Sequence, residues 1–120
     1  MVLKDFSNMF LMTENIEWEA HPIFKGVLVK RLLTREKNNS DITCLLVKTK
    51  KGIDIPEHVH QDSQDIIFPI EGDGIIHIEG IGDLPYKPGS FIVVPKNIPH
   101  YVYNVKETLI AFDIFNPANL

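Results

Sequence analysis

Turn chemistry cuts this chain into short pieces. Between Val27 and Phe115, seven runs rich in β-branched and aromatic residues are separated by clusters that favour reversal of the chain, and this punctuation limits the fold more than any other feature. The runs are Val27–Leu33, Ile42–Lys48, Ile66–Ile70, Gly74–Glu79, Ser90–Val94, His100–Asn104 and Thr108–Phe115. Between them stand KNNSD, KKGID, EGDG, GIGD, YKPGS and PKNIP, each with a glycine, proline or asparagine suited to a turn. Eight prolines and few alanines leave little room for helix. Many short strands of this kind predict an all-β sandwich or barrel.

A chain of 120 residues, 44% apolar, fits one domain with one core. The net charge of −4, with the acids dispersed, argues against a nucleic-acid partner. No stretch is long enough to span a membrane. The opening MVLKDFSNMFLMTEN lacks the apolar centre and small-residue cleavage site of a signal peptide, so the cytoplasm is the expected location. Cys44, the only cysteine, reads as a packed thiol within ITCLLV.

Residues 1–26 read as an N-terminal arm, with a short helix over Phe6–Met12 and an extended piece at Ile16–Trp18. Its Phe10, Trp18 and Phe24 need cover from the barrel or a second subunit, which points to a homodimer. Residues 27–120 form the barrel domain. ITCLLVK has few polar positions and is expected to be covered on both faces, while Pro69 inside IIFPI predicts a bulge.

The chemistry concentrates in PEHVHQDSQD. His58 and His60 stand two apart, so on a strand both imidazoles leave the same face. His100, in PKNIPH, is the third member of the constellation. Three imidazoles suit a divalent transition metal such as Zn, Fe, Mn, Ni or Cu. Asp65 is the preferred fourth ligand, with Gln64 and water as alternatives. Aspartate is about 1.5 Å shorter than glutamate, and Gln64 would leave the opposite face of a continued strand. The competing reading is a metal-free polar pocket. His77 is a cavity-wall or outer-face residue, and His21 a loop or interface residue.

Spacing around these residues resembles the cupin superfamily. Gly52, five residues, His58-x-His60, four residues, Asp65, six residues and Gly72 match its first motif, with Asp65 where glutamate is usual. Gly89, five residues, Pro95-x-Asn97, two residues, His100, three residues and Asn104 match its second, with Asn97 where glycine is usual. The resemblance implies a single-domain double-stranded β-helix, or jelly-roll barrel, with a metal held by His58, His60, Asp65 and His100. Gly72 and Gly74 are read as flanking Asp73 in a tight hairpin. Pro95 and Pro99 set the turn that aims His100 inward.

The ending LIAFDIFNPAN is similar to that of pectin-degradation cupins acting on unsaturated uronates, which end D-x-F-N-P-x-R. Asp113, Phe115, Asn116 and Pro117 match, but the arginine position is Asn119, which is no carboxylate clamp. That resemblance implies a catalytic role for Asp113, as general base. Two functions follow: a divalent-metal-dependent enzyme of isomerase or dioxygenase type acting on a small molecule, sugar acids included, or a non-catalytic small-molecule sensor. By alternation from His100, Val102 points with the ligand, and Tyr101 and Tyr103 point away.

Overall fold

The computed structural model describes residues 10–120, so most of the expected Phe6–Met12 helix lies outside the described residues. The strands are β1 (Glu19–Ala20), β2 (Val27–Leu33), β3 (Thr43–Thr49), β4 (Ile55–His58), β5 (Gln64–Ile78), β6 (Gly82–Tyr86), β7 (Ile92–Val94) and β8 (His100–Asn116). A single helical turn, α1 (Arg35–Asn38), joins β2 to β3. Thr34 caps it by accepting the Lys37 N–H, and Asn39 ends it in the left-handed region at φ 53°.

The two long strands organise everything else. β5 and β8 run antiparallel along their whole length, from Gln64 opposite Asn116 to Ile78 opposite His100. Near Asn116 the ribbon is flanked by β3 on one side and β7 on the other; near His100 it is flanked by β4 and β6. One ribbon therefore belongs to two layers, β1-β2-β3-β8-β5-β7 and β4-β8-β5-β6, folded over a shared core. This is the all-β class expected from the punctuation, in the jelly-roll form that the cupin resemblance implies.

The bend between the layers lies where a hairpin was expected. The chain does not reverse at Asp73; it continues as β5 through register shifts between Pro69 and Ile75, which include the bulge expected beside Pro69. Gly72 sits at φ +98°, and a Cβ there would meet the Thr108 carbonyl oxygen at 2.3 Å and the Leu109 Cα at 2.7 Å. Only glycine lets the two backbones approach so closely.

The bend also exchanges faces. Asp65, Ile67 and Pro69 point inward before it, and Gly74, Ile76 and Ile78 after it. On β8 the inward set changes from His100 and Val102 to Val105, Leu109, Ala111, Asp113 and Phe115, with Asn104 at φ 52° at the change. Val102 is thus buried with His100, while Tyr101 and Tyr103 lie outside. Ile67, Ile76, Ile78, Val94, Val102 and Leu109 form the centre of the core. Each such side chain contributes about 1.5–3 kcal/mol on burial.

The outer face of β3 departs from expectation. Thr43, Leu45 and Thr49 face inward, but Cys44, Leu46 and Lys48 are only half covered. The arm covers part of this face: β1 pairs with β2, the Lys30 Nζ donates to the Thr13 carbonyl at 2.7 Å, and Trp18 stacks beneath Lys30 and Lys48. No helix among the described residues is long and apolar enough to cross a membrane.

Candidate metal centre

The β4–β8 ladder places His58 directly opposite His100. β4 ends at His58, so His60 is carried by the following loop rather than by the strand its spacing suggested. The loop still turns it inward: one ring nitrogen from each of His58, His60 and His100 lies within 4.8 Å of the other two. Ring centroids are 4.2 Å apart for His58 and His100, and 5.0 Å for His58 and His60.

Backbone carbonyls fix two of the tautomers. The Nδ1–H of His58 donates to the Pro56 carbonyl at 2.7 Å, and that of His100 to the Ile98 carbonyl at 2.9 Å. Each ring therefore turns an Nε2 lone pair toward the shared space, the arrangement metal-ligating histidines adopt. The His100 Nε2 is buried with no hydrogen-bond partner, as are Oδ1 of Asp65 and Oδ1 of Asp113. Orphaned acceptors of this kind are costly unless a cation or proton joins them. The donor set fits a divalent metal on these grounds.

Burial holds the imidazoles neutral. It lowers the His60 pKa to about 4, helped by repulsion from His58, His100 and His21. Burial also lowers His100 to about 4, against the opposing pull of the Ile98 carbonyl. Neutral rings are the form a metal binds.

Asp65, 4% exposed, lies beside this space with Oδ2 3.9 Å from the His60 Nε2, but the group of ligand atoms within 4.8 Å of one another is made by the three histidines without it. Gln64 leaves the other face of β5. Asp113 comes from the far half of β8, on the position diagonal to Asp65, so the two buried carboxyl groups are close neighbours. Burial pushes Asp113 up to about 7, and burial together with the charge of Asp113 raises Asp65 well above the usual carboxylate range. Tyr86 completes this group; burial and the two carboxylates raise its phenol well above 10.

All of these side chains line one cavity of about 670 Å³. Its walls are otherwise largely apolar, and among the described residues it has no lysine or arginine. Sequence reasoning missed Tyr86, because GDLPY was read with its turn and not as β6. It also undervalued His21, which lines the mouth and stacks on Phe24 at 4.6 Å. The His21 Nδ1 accepts N–H groups from Ile23 and Phe24, so its proton sits on Nε2, the reverse of His58 and His100. His77 lies on the outer face, stacked on Tyr101 and bonded to Asp83.

A family model described as Cupin_2, cupin domain, matches residues 45–115, more than half of the 120-residue chain. An L-ectoine synthase from Vibrio campbellii is 36% identical over 63 residues. That match spans 50% of this chain and 48% of the relative, so the chain is matched to about half the length of such curated relatives. The structure of KdgF from a Halomonas species superposes with a TM-score of 0.78 at 20% identity, covering 92% of this chain and 95% of the other. An RmlC-like cupin from Shewanella frigidimarina gives 0.76 at 22% identity, covering 92% and 91%. At these identities the likeness is one of fold.

Proposed function

The chain belongs to the cupin-domain family, and on that premise we propose that it is a divalent-metal-dependent enzyme moving a proton on a small molecule inside the barrel. His58, His60 and His100 would hold the metal, with Asp65 as the fourth ligand through Oδ2. When bound, the metal would supply Lewis-acid polarisation of a substrate oxygen.

The observation that carries the reading is Asp113. A buried carboxyl with an unpartnered oxygen, pushed up to about 7, stands in the same cavity as the three histidines. A group with that pKa takes up and returns protons near neutral pH. Asp65 and Tyr86 line the same cavity beside it, and most of the remaining wall is apolar. Isomerisation is favoured over dioxygenation because it uses this acid–base group directly. A sugar-acid substrate has less support, since Asn119 replaces the arginine that would clamp a carboxylate, and the cavity offers no other cationic side chain among its described residues.

The outer face of the β3-β8-β5-β7 layer supports a homodimer. Phe68, Ile70, Phe91 and Val93 are exposed there in one patch, continuous with half-buried Phe112. A contiguous apolar patch of this kind is suited to a second copy of the chain. The single Cys44, without an internal disulfide partner, fits the cytoplasm.

Elemental analysis of the purified protein, before and after reconstitution with Fe, Mn, Ni and Zn, is the first test. NMR then follows exchange of C–H for C–D in small ketoses, aldoses and unsaturated galacturonate. Bound metal with exchange that disappears in a His58→Ala/His60→Ala variant supports the proposal. Failure to take up any of the four metals would sink it, and ligand-induced stabilisation without turnover would make the chain a binding module.

A further inference from the structure

His58 and His100 each rely on a backbone carbonyl two residues earlier in the chain. His60 is held differently. Its Nδ1 faces the side-chain amide of Asn119, with Nδ2 at 3.2 Å. The tail that carries Asn119 is tied down by its own main chain. The Asn119 N–H donates to the Thr43 Oγ1 at 3.0 Å, the Ala118 N–H to the Asp41 carbonyl at 2.9 Å, and the Ser63 Oγ donates to the Pro117 carbonyl at 2.7 Å. Changing the Asn119 side chain leaves all three of these bonds in place.

We propose that Asn119 is a positioning residue for His60, whose amide turns over to switch that ring between its metal-free and metal-ligating tautomers. The inference rests on the metal reading above. With Nδ2 donating, the His60 Nδ1 carries a lone pair, and the ring proton sits on Nε2, the nitrogen facing Asp65. Ligation through Nε2 needs the reverse: the proton on Nδ1 and an acceptor opposite it. Half a turn of the Asn119 amide puts Oδ1 where Nδ2 stood, with no change of shape. One proton leaves Nε2 for solvent and one from solvent joins Nδ1, so the charge of the ring is unchanged. Asparagine serves both states because its amide both donates and accepts; aspartate would serve only the ligating one, and alanine neither.

The test measures Zn²⁺ and Co²⁺ affinity by chelator competition in the unaltered protein, Asn119→Ala and Asn119→Asp. It is joined to ¹⁵N NMR of the His60 ring without metal. Asn119→Ala should bind roughly 10- to 100-fold more weakly, with an unchanged melting temperature in the metal-free state. Asn119→Asp should restore the affinity and move the metal-free ring proton from Nε2 to Nδ1. Equal affinities in the unaltered protein and Asn119→Ala would overturn the role of Asn119 while leaving the metal reading intact. Asn119→Asp as weak as Asn119→Ala, or an Nδ1 proton in the unaltered metal-free ring, would also overturn it. No uptake of either ion by the unaltered protein would overturn both proposals.

Discussion

Asp113→Asn tests whether the cavity stores a proton near neutral pH. The substitution keeps the shape of the side chain and removes its titration. Asp113 has a pKa of about 7 in the folded chain and 3.8 when free of its surroundings. Between those values the folded state binds more protons than the unfolded state. The stability due to its protonated form is therefore complete below 3.8 and is lost as the pH rises through 7. From pH 5.5 to pH 8 the loss spans about one and a half pH units of full linkage, or about 2 kcal/mol at ~1.36 kcal/mol per unit. Urea unfolding of both proteins at the two pH values, with chelator present, measures it directly. Taking the difference between the proteins cancels the histidines, which both share. Asp113→Asn should gain about 2 kcal/mol on the unaltered protein in going from pH 5.5 to pH 8. The same difference at both pH values would refute the reasoning, because Asp113 would then titrate as an ordinary carboxylate.

Acid should act in the opposite sense through His60 and His100, which burial holds at about 4 in the folded chain. Unfolded histidines take up protons near 6.5, so their stabilising contribution falls as pH drops from 6.5 toward 4, and metal-free Asp113→Asn should lose stability there more steeply than the unaltered protein. Gly72→Ala should cost about 3 kcal/mol or more from positive φ and the backbone collision. Gly52→Ala, at φ +79° with nothing within 4 Å of its Cβ, should cost about 1 kcal/mol; melting temperatures falling by equal amounts would show that close approach is not the reason for Gly72. Phe68→Glu should dissociate the proposed dimer in sedimentation or light scattering, and an unchanged mass would place the interface elsewhere.

Local signals and tertiary contacts divide what the sequence reveals. β2 could be read directly as Val27–Leu33, because a β-branched run between clear turns leaves one interpretation. The two long strands were each read as two, since a glycine needed for close approach looks the same as one needed for reversal. Gly72 and Asn104 both take positive φ within continuing strands. β6 was hidden by Pro85, which is tolerated because that strand lies at the edge of its layer. The three histidines were legible because motif spacing ties them to the turns that aim them. Asn119 beside His60, Tyr86 beside the carboxyls and His21 at the mouth are contacts between distant segments, and no local pattern announces them.

β8 carries His100 at its first residue and Asp113 near its last, yet both reach the same cavity. Thirteen residues of straight strand would part them by roughly 43 Å, so the irregularities of the ribbon set the distance between proposed metal ligand and proposed proton carrier. Reaction geometry in this chain is then adjustable by inserting or deleting single residues around Asn104. Such a change would turn one half of the strand over relative to the other, withdrawing Asp113 or His100 from the cavity while leaving every side chain of the site chemically unchanged.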